Sequence, residues 1–272
     1  MTIVTGDRSL RLVATAFDAY RRIFVGSGLA PLLSQPNPVR HTGFDLDLVV
    51  ERVEVEATDV LSVTLGAADG APLPRWQPGA HLDVFLPSGR QRQYSLCGDP
   101  GDPGDPRRYR IAVRLLHAGG GGSREIHESL RVGDPLRVRG PRNAFRLVTA
   151  DSYTFVAGGI GITPILPMVK AVAARGVPWR MTYLGRTRAS MPFLAELPGD
   201  VDVRPDDETG RPDLAALLAG TRPGGAVYVC GPPPLLDAAR PSIPPDRCTP
   251  NGSRRRPSAA APPSTWSCAA PA

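Results

Sequence analysis

Near Asp151 the hydrophobic rhythm of the chain changes period, and no single repeating architecture accommodates both halves. Before it, apolar or β-branched residues alternate with polar ones in six short runs, 46–55, 60–65, 81–86, 91–96, 109–115 and 136–138. Clusters of Gly, Pro and Asp at 72–74, 87–89, 98–106 and 133–135 separate them. A two-residue period places alternate side chains on opposite faces of a pleated strand, so this half predicts an antiparallel β-barrel. Beyond 151, apolar runs at 154–157, 181–184 and 226–230 alternate with helical patterns at 164–175 and 191–197. That alternation predicts a doubly wound α/β domain built on a parallel sheet.

The reading divides the 272 residues into an N-terminal extension at 1–41, a barrel domain at 42–148, an α/β domain at 149–247 and a tail at 248–272. In the extension, Leu10, Val13, Phe17, Tyr20 and Phe24 recur at helical spacing, which predicts an amphipathic helix docked on the body. The segment is short and has few basic residues, which disfavours a membrane-surface anchor. With no signal-peptide pattern and no long apolar run, a cytoplasmic protein is expected. The tail, rich in Pro, Ala, Ser and Arg, shows almost no apolar periodicity and is expected to be disordered.

The net charge of +6 raises nucleic-acid binding as a function. Residues 241–272 carry four arginines against one aspartate, so that C-terminal stretch alone holds half of the charge. The rest is interspersed rather than gathered into a stripe, and nucleic-acid binding is not expected. Cys97, Cys230, Cys248 and Cys268 show no metal-ligand spacing, and His41, His81, His117 and His127 are equally dispersed, so no metal site is expected.

Four segments carry chemistry. Arg92-Gln93-Tyr94-Ser95-Leu96-Cys97 ends a barrel strand. A flavin needs an aromatic ring against its isoalloxazine, a hydrogen-bonding group near the ring nitrogens and a cation for its phosphate; Tyr94, Ser95 and Arg92 can supply these. Taken alone the triplet is equally at home in any strand. Gly119-Gly120-Gly121-Gly122-Ser123-Arg124 opens a helical stretch inside the barrel domain, where a flexible linker makes little sense and a phosphate-binding turn does. Gly158-Gly159-Ile160-Gly161-Ile162-Thr163-Pro164 joins a buried strand to a helix, with Thr163 near the expected cap. It would bring a pyrophosphate to a helix start, although its spacing is not the G-x-G-x-x-G fingerprint. Cys230-Gly231-Pro232 ends a late strand, on the edge where ligands of such sheets bind.

In this order the four segments resemble the ferredoxin–NADP reductase superfamily, and the closer resemblance is to the phthalate dioxygenase reductase and vanillate demethylase reductase family. It rests on Arg92 to Cys97, on Gly121-Gly122-Ser123 and on Gly140-Pro141-Arg142-Asn143-Ala144-Phe145. The resemblance implies that Arg92, Tyr94 and Ser95 hold an FMN, with Gly122, Ser123 and Arg124 around its phosphate. It also implies that Gly158, Gly159, Gly161 and Thr163 receive the pyrophosphate of NADH, with Cys230 and Gly231 beside the nicotinamide. Arg186 and Arg188, after the strand at 181–184, lie where the adenosine ribose is read and leave NADPH open. The implied reaction is hydride transfer from nicotinamide to flavin, with an oxygenase as the acceptor protein and no residue acting as general acid or base.

Members of that family continue into a ferredoxin domain whose cysteines ligate a [2Fe–2S] cluster, and no such set follows Gly231 here. The run Arg247-Cys248-Thr249-Pro250-Asn251-Gly252-Ser253 matches a one-base deletion in codons for Arg-Leu-His-Thr-Glu-Arg-Phe, which resembles the family's last strand. The expectation is a frameshifted tail and a reductase without its cluster. The alternative is a truncated, non-catalytic remnant.

Overall fold

The computed structural model describes residues 44–99 and 107–242, and the backbone of one strand at 268–271. The helix expected over 7–24 lies outside the described residues.

All six expected barrel strands form: β1 (Phe44–Ala57), β2 (Val60–Ala67), β3 (Ala80–Phe85), β4 (Gln91–Ser95), β5 (Arg108–Arg114) and β6 (Pro135–Asn143). They make one antiparallel sheet in the order β4-β3-β6-β1-β2-β5. A bridge between Leu96 and Ile111 links its two end strands, so the sheet curls closed. Alternation decides which side chains fill the interior: Leu48 and Val50, Val63 and Leu65, Leu82 and Val84, and Ile111 and Val113 are all buried in one cluster. Helix α1 (Gly122–Ser129) lies between β5 and β6 and drives Ile126 into that cluster. Each such fully buried aliphatic side chain contributes on the order of 1.5–3 kcal/mol.

The second half consists of β7 (Ser152–Gly158), α2 (Ile162–Ala174), β8 (Trp179–Gly185), β9 (Asp202–Pro205), α3 (Asp206–Thr209), α4 (Leu214–Ala219), β10 (Gly225–Cys230) and α5 (Pro233–Ala239). Strands β10, β7, β8 and β9 are parallel neighbours in that order. Successive residues of β7 serve opposite faces: Phe155 and Ala157 pack with α2, and Val156 packs with Leu214, Leu218 and Leu236 of α4 and α5. A sheet covered on both faces needs apolar residues at consecutive positions, which is why these strands read as continuous runs.

Three local expectations are corrected. The helix expected at 191–197 is instead a 3₁₀ turn at Leu194–Glu196, because Pro192 lacks an amide hydrogen and Phe193 adopts a left-handed φ of 63°. Strand β9 lacked an apolar run and was not expected; it forms on the sheet edge, where pairing to β8 suffices. Within the tail, β11 (Cys268–Pro271) pairs antiparallel with β10, against the expectation of a tail without regular structure. The edge of β10 presents unpaired backbone groups, and almost any extended segment can satisfy them.

The two halves meet along a continuous apolar seam. Val60, Cys97 and Ala112 of the barrel belong to the same buried cluster as Ile162, Met168 and Phe193. The connecting segment is pinned as well: the Tyr228 hydroxyl donates to the Arg146 carbonyl at 2.9 Å, and the Tyr153 hydroxyl donates to that of Val148 at 2.7 Å.

Candidate functional site

Strand β4 carries the first half of the site. Arg92 and Tyr94, two residues apart, share a face of the strand and stand opposite Val84 and Leu82. Arg92 lies along the glycine loop, its Nη2 donating to the Gly120 carbonyl at 3.0 Å. A Cβ at Gly122 would stand 2.8 Å from Arg92 Nε, so the loop must be bare of side chains for the guanidinium to lie there. Gly121 precedes α1 with a φ of 79° and provides no side-chain cap, which leaves the first amides of the helix for another acceptor. Tyr94 is half-buried against the barrel core, and burial pushes its phenol up to about 12, with Arg92 pulling down and Glu125 pushing up. Ser95 stands opposite His81, and its hydroxyl has no partner among the described residues.

Ser123 and Arg124, also expected at the phosphate, make hydrogen bonds to the turn before the glycines. The Ser123 hydroxyl accepts the Leu116 amide at 3.0 Å, bracing the turn before the glycines while keeping its own proton to donate. Arg124 donates to the His117 carbonyl at 3.0 Å, on the outer side of the same turn. A residue that the sequence reading did not single out also lies on the loop. Arg90 donates from Nε to the Gly120 carbonyl at 3.1 Å and pairs with Glu125 at 3.4 Å. Its signal was the two-residue offset from Arg92, which puts both guanidinium groups on one face of the chain.

The second half lies at the carboxyl ends of β7 and β10. The chain runs outward from β7 to β8 and β9, then returns to the other side of β7 to form β10, so a crevice opens where the connections part. Gly158 and Gly161 lie on one side of it, and Cys230 and Gly231 on the other. A Cβ at Gly161 would stand 2.2 Å from the Cys230 oxygen and 2.8 Å from the Gly231 nitrogen. A Cβ at Gly158 would meet Leu235 at 2.7 Å and Pro232 at 3.0 Å. Backbone therefore touches backbone where Gly161 meets Cys230 and Gly231, at the start of α2. Gly161 is the residue before α2, with no side-chain cap. Thr163 does not cap: it is buried in the first turn, and its hydroxyl donates back to the Ile160 carbonyl at 3.0 Å. Cys230 is buried beside Gly161, and burial pushes its thiol up to about 12, which favours the neutral form.

Arg114 of β5 joins the two halves and was also missed. Its Nη2 donates to the Ser190 carbonyl at 2.6 Å and lies 3.7 Å from where a Cβ at Gly159 would be. Burial lowers its pKa, the charges of Tyr183 and Asp59 raise it, and that of Arg186 lowers it again. Arg186 is exposed and has no ion-pair partner among the described residues. Arg188 is different: it grips Glu208 with two hydrogen bonds, at 3.1 and 2.7 Å.

No protein-family model matches the chain. It is 38% identical over 204 residues to phthalate dioxygenase reductase of Burkholderia cepacia, covering 72% of this chain and 62% of that protein. It is 37% identical over 197 residues to vanillate O-demethylase oxidoreductase of Pseudomonas sp. (strain HR199 / DSM 7063), covering 69% of this chain and 61% of that protein. The solved structure of a phthalate dioxygenase reductase, described as modular for electron transfer from pyridine nucleotides to [2Fe–2S], superposes with a TM-score of 0.67 at 36% identity. That match covers 79% of this chain and 66% of the other. The chain thus spans about three fifths of the length of the curated relatives it matches. Over that shared segment the chain is homologous to phthalate dioxygenase reductase and vanillate O-demethylase oxidoreductase and has a ferredoxin-reductase-like FAD/NAD-binding fold.

Proposed function

We propose that the chain is the flavin- and nicotinamide-binding portion of an oxygenase reductase, taking hydride from NADH onto FMN and passing electrons to an oxygenase-type acceptor. The observation that carries this reading is the reach of Arg114 from barrel strand β5 to the Gly159 turn, which sets a cation of the barrel beside the second cradle. The relatives are reductase components of oxygenase systems, and the two cradles suit the two phosphate-bearing cofactors.

Bound side by side, a nicotinamide supplies hydride and a flavin accepts it, and the chain's residues supply binding and alignment. Arg90 and Arg92, with the bare Gly120–Gly122 backbone and the uncapped start of α1, hold a terminal phosphate. FMN ends in such a group, which favours it over a dinucleotide flavin. Tyr94 packs against the ring, and the free Ser95 hydroxyl donates to it. Gly158, Gly159 and Gly161 admit a pyrophosphate to the start of α2, with Arg114 as its cation. Cys230 offers a neutral, polarisable wall to the nicotinamide and does not act as a nucleophile. No side chain is needed as general acid or base. Glu208 already neutralises Arg188, which favours NADH over NADPH.

Cys97, just beyond β4, and Cys230, at the end of β10, are buried thiols whose pKa burial raises, and they do not suit a cluster. Electrons would leave the flavin edge directly, or through a cluster held outside the described residues.

Anaerobic titration of FMN-reconstituted protein with NADH tests this reading. Bleaching of the flavin band at near-stoichiometric NADH is expected. A protein that retains no flavin, or a bound flavin that NADH fails to bleach, overturns it.

A further inference from the structure

We infer that Glu196 is a positioning residue that ties the strand end after Tyr94 and Ser95 to the helix that follows the glycine turn, and so fixes how the two ring sites face each other. The inference rests on the proposed flavin and nicotinamide sites, and its carrying observation is a carboxylate shared by cations from opposite halves of the molecule. Glu196 accepts two hydrogen bonds from Arg110 of β5, at 2.6 and 2.8 Å, and one from Lys170 of α2, at 2.9 Å.

Each cation leads directly to one half-site. Arg110 is bound to Cys97, two residues beyond Ser95, in both directions. The Cys97 amide donates to the Arg110 carbonyl at 2.9 Å, and Arg110 Nη2 donates to the Cys97 carbonyl at 2.9 Å. Any movement of Glu196 is therefore felt at the end of the Tyr94-Ser95 segment. Lys170, the only lysine in the sequence, stands on α2, whose first turn follows Gly161 directly.

The junction is stiff. The Arg110 guanidinium lies over the Phe193 ring at 4.8 Å from its centroid. Phe193 is buried with a φ of 63°, a left-handed conformation that a phenylalanine holds only when its surroundings impose it. Burial tends to push the Glu196 carboxyl up, but hydrogen bonds and charge from Arg110 and Lys170 prevail and hold it below the ordinary glutamate range. Without the carboxylate, two partly buried cations would face one another across the seam between the domains.

Reductive half-reactions of the full chain reconstituted with FMN, with Glu196→Gln and Lys170→Met, test the inference. For Glu196→Gln, flavin occupancy and NADH affinity should stay within about twofold of the parent, while the limiting rate of flavin bleaching falls on the order of ten- to a hundredfold. The long-wavelength absorbance of a nicotinamide stacked on flavin should weaken in parallel. Calorimetry supplies a readout that needs no activity: the parent should melt in one transition and Glu196→Gln in two. If Glu196→Gln keeps the parent's limiting rate, stacking absorbance and single transition, the residue is merely structural and the inference fails. Should Glu196→Gln not fold, Lys170→Met, which cuts only the α2 side, must show the same losses in smaller measure; parental behaviour there also overturns the inference. A parent that binds no flavin defeats the functional reading instead, and the number of calorimetric transitions then decides the coupling by itself.

Discussion

Gly161 and Cys230 touch backbone to backbone, so closely that a single Cβ on Gly161 would stand 2.2 Å from the Cys230 carbonyl oxygen. Neither partner can swing aside as the tip of a side chain could. Gly161→Ala should therefore cost on the order of 1–3 kcal/mol of stability, as overpacking does, and should weaken NADH binding because the crevice is forced apart. Urea denaturation and NADH titration of the variant measure the two losses. An alanine variant with parental stability would mean that the Gly161 and Cys230 backbones are not in contact.

Arg92→Met should separate phosphate recognition from ring recognition. A charge-assisted contact is worth roughly 1.5–3 kcal/mol, so FMN affinity should fall by about ten- to a hundredfold while riboflavin affinity stays unchanged. Equal losses for both ligands would remove Arg92 from the phosphate site.

Gly122→Ala offers a contrasting case. Alanine is the better helix former at the start of α1, yet its Cβ would press on Arg92 at 2.8 Å. The expected outcome is unchanged or slightly higher melting temperature together with faster FMN release on dialysis.

The ion pair between Arg188 and Glu208 sits on the surface, so its effect should be modest and sensitive to salt. Glu208→Gln frees Arg188 to meet a 2′-phosphate, and kcat/KM for NADPH relative to NADH should rise roughly two- to fivefold at low ionic strength. Arg186→Ala should lower NADPH use more than NADH use. Steady-state kinetics with both donors check the pair of variants, and parallel changes in both donors would assign these residues another role.

The pH dependence of the junction follows from Glu196, whose folded-state pKa lies below its unfolded value. A group of this kind stabilises fully above its unfolded pKa and loses its contribution as pH falls through the folded one. The difference in melting temperature between the parent and Glu196→Gln should be constant near neutrality and should close below about pH 4. A difference that persists unchanged into acid would show that the carboxylate charge is not what stabilises the seam.

Composition and periodicity determined the two architectures. The barrel strands alternate because each has one wet and one dry face, and Phe155 and Val156 are consecutive apolar residues because β7 is covered on both sides. The glycines at 119–122 and 158–161 were legible for a related reason: only residues without a Cβ allow backbone and guanidinium groups to approach so closely. Tertiary structure alone decided which cations serve which loop. Arg90, beside a turn, and Arg114, in a strand, carry no local signal of a ligand, while Ser123, Arg124 and Thr163 read as ligand contacts and are bonded to their own turns. Arg110, Lys170 and Glu196 are separated by 26 to 86 positions, and no local pattern signals that they meet. Sequence periodicity reports a residue's immediate solvent environment. The direction of a long flexible side chain is set by partners that only the folded chain brings within reach.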